Sequence, residues 1–376
     1  MILYDPSFTA VFRDYGIMLP ISPSRAEKIA GFLDLPAGLV LDAASALRLL
    51  GGAVSGDALV GREDIERVHS KEYTAALYGE SGVSGKISLE KTLLDAYELI
   101  DGEGKANRYE PERAVKPLGN LFDSILAQVG GTCLACRLAL HSAAEPPSGG
   151  RPPGFCYYLG GGMHHARHDT GAGFCLVNDI MIAARKIQAE KKAACIWIVD
   201  VDAHKGCGTA ELVRFSRQKG DLSGGPSARP RGGPEILNLS IHMAAGWPLD
   251  ADTLKNAVPG RAPLVPADVE IPIEEGGEGD YLDKLKQGLH RLEALSAGET
   301  PDLAIVVDGA DPYEYDGLPS SSLLKLSLAQ CVERDRLIFG YFAERGTAQA
   351  WIMAGGYGDR AWEPPAYFLH TIFPGP

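Results

Sequence analysis

The chain has 376 residues, 45% of them hydrophobic, which is enough for a large buried core. A formal net charge of −13 argues against a general nucleic-acid binder and against a basic protein of the membrane surface. No run of about 18 apolar residues is available to span a membrane. Met1–Pro6 lacks the basic start and apolar core of a signal peptide, and seven cysteines at this length make no disulfide framework, so a cytoplasmic location is expected.

Residues 1–110 mix short helical patterns with loops, and Ser22-Pro23-Ser24-Arg25-Ala26-Glu27 reads as a helix start. Residues 119–143 read as a long helix. Its Cys133 and Cys136 form a C-x-x-C without a second pair, and read as core rather than as a metal site. After a loop at 145–153, the apolar run Phe155–Leu159 leads into three glycines and His164-His165. A helical pattern covers 175–190, and a second apolar run, Cys195–Val199, stops at Asp200-Val201-Asp202-Ala203-His204. Residues 220–234 cluster glycine and proline and are expected to form a mobile surface loop. A third strand is expected at Ile236–His242, and amphipathic helices at 280–297 and 320–344. Between and after them, Leu303–Val307 ends in Asp308-Gly309-Ala310-Asp311, and Ala350–Ala354 ends in Gly355-Gly356-Tyr357-Gly358.

Apolar runs without alternation are strands covered on both faces. Their alternation with helical patterns predicts an α/β domain with a largely parallel central sheet and helices on both faces. No long linker divides the chain and the candidate site residues run from 164 to 357, so one domain over 1–376 is expected. Ligands of open α/β sheets bind outside the carboxyl ends of the strands. Four strand ends carrying polar groups are therefore expected to meet in one crevice.

Asp200, Asp202 and His204 share one face if the chain stays extended past the strand. Carboxylate oxygen and imidazole nitrogen suit a divalent metal, although a strand end followed by a hydrogen-bonded turn has the same residues. With Asp311 added, three protein ligands leave positions open to water and substrate, which is the mark of a catalytic centre. His164 and His165 are candidates for moving protons, against the alternative of a solvated turn. Tyr357 can donate to a developing oxyanion, against the alternative of a turn tyrosine packed on the surface.

Five segments in this order resemble the zinc-dependent histone deacetylase family, with its bacterial deacetylase-like and acetylpolyamine amidohydrolase members. They are Gly160–Ala166, Gly173–Asp179, Asp200–His204, Gly309–Tyr313 and Gly355–Tyr357, with weaker matches at Ser24–Ala26 and His69–Tyr73. The resemblance implies the arginase–deacetylase fold and hydrolysis of an N-acyl amine on a bound Zn²⁺, with Fe²⁺ as the alternative. It implies that Asp202, His204 and Asp311 are the metal ligands, that His164 and His165 are the proton-moving pair, and that Tyr357 polarises the acyl carbonyl. Asp200 would stand behind His164 and, with Asp202, His204, Ser240 and Ile241, hold a structural K⁺. Gly173, Phe174, Trp247 and Leu318 would line the substrate tunnel.

Two departures stand out. Cys207 occupies the position where the family usually has an aspartate behind the second histidine, and Met243–Pro248 replaces the usual loop at the tunnel mouth. Nineteen residues follow Tyr357, so the C-terminal helices are expected to be shortened or absent. The leading expectation is a deacylase for ε-acyl-lysine in proteins or peptides, with acylated polyamines as the alternative substrate. A two-manganese ureohydrolase is disfavoured, because no carboxylate lies two residues after His204 and no Gly-Gly-Asp-His segment is present. Cys207 alone favours a silent acyl-lysine binder.

Overall fold

The computed structural model describes residues 1–35, 38–52, 59–80, 88–145, 152–218, 235–255 and 265–373. The expected mobile loop at 220–234 lies outside them.

Eight strands form one parallel sheet. They are β1 (Ile2–Leu3), β2 (Val40–Leu41), β3 (Phe155–Tyr158), β4 (Ile196–Asp200), β5 (Ile236–Met243), β6 (Val269–Ile273), β7 (Leu303–Asp308) and β8 (Ala348–Met353). Their spatial order is β2-β1-β3-β8-β7-β4-β5-β6. The four strands whose ends carry polar groups, β3, β8, β7 and β4, are consecutive neighbours, so their carboxyl ends open onto one place.

Successive side chains of a strand point to opposite faces, and each face here has its own core. Ile196, Ile198, Ile305, Val307, Ala350 and Ile352 face one cluster. Trp197, Val199, Ala304, Val306 and Trp351 face the other. Two buried faces are why these strands read as unbroken apolar runs. The first face is covered by the 24-residue helix Leu121–Ala144, which buries Cys133 and Cys136 in its core. Helices Tyr281–Leu295, Leu328–Ala343 and Glu363–Ile372 contribute to the second.

Two expectations need correction. The helix expected over 320–344 begins at Leu328, because Ser327 caps it and exchanges hydrogen bonds with Gln330. Residues Pro319–Ser321 form a separate 3-10 turn ahead of it. The pattern over 175–190 is helical from Asp179, capped by Asn178, whose side chain accepts from the Met181 N–H. Strands β1, β2 and β6 went unread, since two residues carry no period and β6 alternates only at the sheet edge. One C-terminal helix, Glu363–Ile372, is present.

Candidate active site

The chain beyond β4 stays pinned between its neighbours. The Val201 N–H donates to the Val307 carbonyl at 3.1 Å, and Met243 N–H to the Ala203 carbonyl at 2.9 Å. Val201 and Ala203 thereby stay in the core of the second face, while Asp200, Asp202 and His204, also buried, point to the strand ends. Asp311 comes over from β7. Donor atoms of Asp202, His204 and Asp311 lie within 4.8 Å of one another. His204 Nδ1 is 2.8 Å from Asp311 Oδ2 and 3.2 Å from Asp202 Oδ1.

This donor set fits a divalent cation. Two buried carboxylates and one imidazole nitrogen converge, which is oxygen and nitrogen ligation suited to zinc or ferrous iron. Backbone rather than side chains closes the space around them. A Cβ on Gly355 would lie 2.4 Å from Asp202 Oδ2 and 2.9 Å from the Asp311 carboxyl, so only glycine fits there. Burial and the adjacent Asp202 charge push the Asp311 carboxyl up to about 7, against the opposing pull of His204. Among the described residues this is the one such group of three or more donors, so the second metal of a ureohydrolase finds no ligand set there.

The two histidines sit side by side with different partners. His164 Nδ1 is 2.7 Å from Asp200 Oδ2, and its Nε2 is 3.7 Å from Asp202 Oδ1. Burial opposes a charge on His164, but the Asp200 and Asp202 carboxylates outweigh it and push the imidazole up to about 9. His165 has no carboxylate partner at Nδ1, where the Cys207 thiol stands at 3.6 Å. Burial and the nearby His164 and His204 push it well below the usual histidine range. Their loop is held by Asp179, which accepts from the Gly162 and Met163 N–H groups at 3.0 and 2.6 Å and from the Thr132 hydroxyl at 2.6 Å. Asp179 lies inside a segment singled out from the sequence, but nothing local marks it as the support of a loop 16 residues earlier.

The expected tunnel residues meet in one pocket. Gly173, Phe174, Trp247 and Leu318 line a cavity of about 120 Å³ that opens onto His165, His204 and Tyr357. The Trp247 ring stands edge-on to His165, with centroids 4.6 Å apart. Gly173 adopts φ +54°, and a Cβ there would lie 2.2 Å from the Trp247 ring, so glycine is what lets the wall close. Past the donor cluster the space continues into a cavity of about 160 Å³ that reaches Phe12, Ile21 and Arg25. The half-buried Tyr357 borders both cavities, and its N–H donates to Asp316 Oδ2 at 2.7 Å. Burial and the Asp311 and Asp202 charges push its hydroxyl well above the usual tyrosine value, so it stays a donor.

Ser240 and Ile241 lie on β5, with Ser240 in register with Asp200, and the Ser240 hydroxyl is 2.9 Å from His242 Nδ1. The sequence reading missed Glu98 and Arg108 at the mouth, and also Ser320, which stands 3.2 Å from His204 Nε2. Glu98 and Arg108 lie in loops and Ser320 in a short 3-10 turn within a run of three serines, with no pattern to single any of them out.

An all-parallel sheet of this order, with ionisable groups at the ends of β3, β4, β7 and β8, defines an α/β protein of the arginase–deacetylase fold. The solved acetylpolyamine aminohydrolase of Burkholderia pseudomallei superimposes with a TM-score of 0.59 over 99% of this chain and 98% of that one, at 18% identity. The chain belongs to the histone deacetylase family, whose domain description, "Histone deacetylase domain", matches residues 20–366. It is 25% identical over 305 residues to the acetoin utilization protein AcuC of Bacillus subtilis, covering 81% of this chain and 66% of AcuC. It is 27% identical over 231 residues to histone deacetylase 2 of Arabidopsis thaliana, covering 61% of this chain and 48% of that protein. Among the described residues, no helix is long and apolar enough to cross a membrane.

Proposed function

We propose that the chain is a metal-dependent deacylase that removes acyl groups from the ε-amine of lysine in proteins or peptides. The observation that carries this reading is one juxtaposition. His204, His165 and Tyr357 line the pocket walled by Phe174 and Trp247, Asp202 and His164 line the adjoining cavity, and Asp311 and Asp200 stand directly against His204 and His164. A zinc ion, or ferrous iron, held by the cluster supplies Lewis acidity, which polarises a carbonyl and lowers the pKa of water toward about 7.

The chain's own residues do the rest. Phe174 and Trp247 flank the aliphatic stem of the substrate and keep water out of the pocket. Tyr357, protonated at neutral pH, donates to the acyl oxygen as charge develops on it. His165, held neutral, accepts the proton of the attacking water. His164, held as an imidazolium by Asp200, gives a proton to the departing amine. Asp200, Asp202, His204, Ser240 and Ile241 are the residues that would hold a structural potassium ion.

The mouth favours lysine over a polyamine. Arg108 stacks over the Phe174 ring at 5.4 Å and pairs with Glu98 at 3.4 Å, and both line the pocket. The cationic tail of an acylated polyamine would meet the Arg108 guanidinium, whereas a peptide presents neutral amides there. Glu98 is the one feature that favours the polyamine reading, since its carboxylate matches a second ammonium. A side-by-side assay of metal-loaded protein on acetyl-lysine peptide and acetylputrescine decides between them. The expected result is a higher kcat/KM on the peptide, with Arg108→Ala narrowing the gap. A higher kcat/KM on acetylputrescine reverses the assignment, and no turnover of either, or of longer acyl chains, overturns the deacylase reading.

A further inference from the structure

A metal-bound histidine uses one ring nitrogen, and what the other nitrogen touches sets its tautomer and ring angle. His204 Nδ1 is the nitrogen turned toward Asp202 and Asp311. To offer its lone pair to a cation, the neutral ring must carry its proton on Nε2. That nitrogen faces the Ser320 hydroxyl, at 3.2 Å. We propose that Ser320 is a positioning residue that accepts the His204 Nε2 proton and so holds His204 in its metal-ligating tautomer. The inference rests on the metal-dependent reading of the site.

Ser320 is itself held firmly. It lies in the 3-10 turn Pro319–Ser321. Asp316 Oδ1 ties that turn down by accepting from the Leu318 N–H and the Ser321 hydroxyl, both at 2.8 Å. The other oxygen of the same carboxylate accepts from the Tyr357 N–H at 2.7 Å, and the Gly317 N–H donates to the Tyr357 carbonyl at 3.0 Å. One short turn thus fastens both the partner of a metal ligand and the tyrosine across the pocket from it. Ser320 also lines the pocket beside Leu318 and Trp247, where a substrate stem would pass. A hydroxyl suits this place because it accepts from the imidazole while its own proton stays free to turn toward the pocket.

The test is zinc affinity, measured on the full chain by competition with a chromophoric chelator for wild type, Ser320→Ala and Ser320→Thr. Losing an outer partner of a metal-bound histidine costs about 10- to 100-fold in affinity. Ser320→Ala is expected to fall in that range, Ser320→Thr to stay within about 3-fold of wild type, and the three metal-free proteins to melt together. A loss below about 3-fold in Ser320→Ala, or an equal loss in Ser320→Thr, overturns the inference. A wild type that binds no zinc or ferrous iron instead overturns the metal-dependent reading itself, so the two failures are distinguishable.

Discussion

At the scale of the residue, Cys207 is the partner of His165, and its effect falls on that ring. A thiol at 3.6 Å brings no negative charge, and burial with two neighbouring imidazoles keeps His165 neutral far below pH 6.5. A carboxylate in its place would raise the pKa of His165. Because the ring must be neutral to accept a proton, Cys207→Asp is expected to move the ascending limb of the kcat/KM–pH profile to higher pH. An unmoved limb would remove His165 from the base role. Tyr357 makes a separate demand, since its hydroxyl matters only where charge develops on the acyl oxygen. Tyr357→Phe is expected to lower kcat by roughly 10² to 10³ while leaving metal content unchanged, as read by turnover and metal analysis on one preparation. Full activity would sink the mechanism.

The elements bring the donor side chains together, and a buried ion cluster behind the sheet sets how two of them meet. Arg334, fully buried on helix Leu328–Ala343, donates to Asp308 Oδ1 at 2.6 Å and Asp335 Oδ1 at 2.7 Å. It also donates to the Val201 and Gly309 carbonyls at 3.1 and 2.9 Å, one residue before Asp202 and two before Asp311. Helix, β4 and β7 are thus joined at the level of the donor cluster. Tyr157 on β3 completes the set by donating to Asp308 Oδ2 at 2.6 Å. Removing the guanidinium strands two buried carboxylates, and breaking a buried ion pair in this way costs about 3–5 kcal/mol. Arg334→Met is expected to lower the urea midpoint accordingly with an unchanged slope. A loss under about 1 kcal/mol would show that the carboxylates simply take up protons.

At the scale of the whole molecule, acid sensitivity is expected from a histidine remote from the donor cluster. His69 is buried, with Nδ1 2.7 Å from the Arg167 carbonyl and Nε2 accepting from the Asn178 N–H at 3.0 Å. Only the neutral ring satisfies both bonds, and burial pushes His69 down to about 4 from the 6.5 of a free imidazole. The unfolded chain therefore binds the proton first. Stability from this residue is complete above about pH 6.5 and is lost as the pH falls toward about 4. Gln can keep one donor and one acceptor without titrating. His69→Gln is thus expected to lose less Tm than wild type between pH 7 and 4 in thermal melts, and parallel losses would assign the acid sensitivity elsewhere.

How much of this could be read along the chain follows from the range of each interaction. Strands buried on both faces announce themselves locally, so β3, β4, β5, β7 and β8 were legible, as were the ionisable residues at their ends. Asp202 and His204 could be placed on one face from spacing alone, because a strand repeats every two residues. Strands β1 and β2 could not, since two residues in a sheet are held by their neighbours and not by a pattern. Amino-acid order by itself determined the layered α/β architecture and the identity of the donor set. Only the tertiary structure decided the other partners: Ser320 behind His204, Arg108 over Phe174 and Arg334 beneath the donor cluster. A single polar side chain carries no period. Its chemistry is set by which distant backbone the fold lays against it.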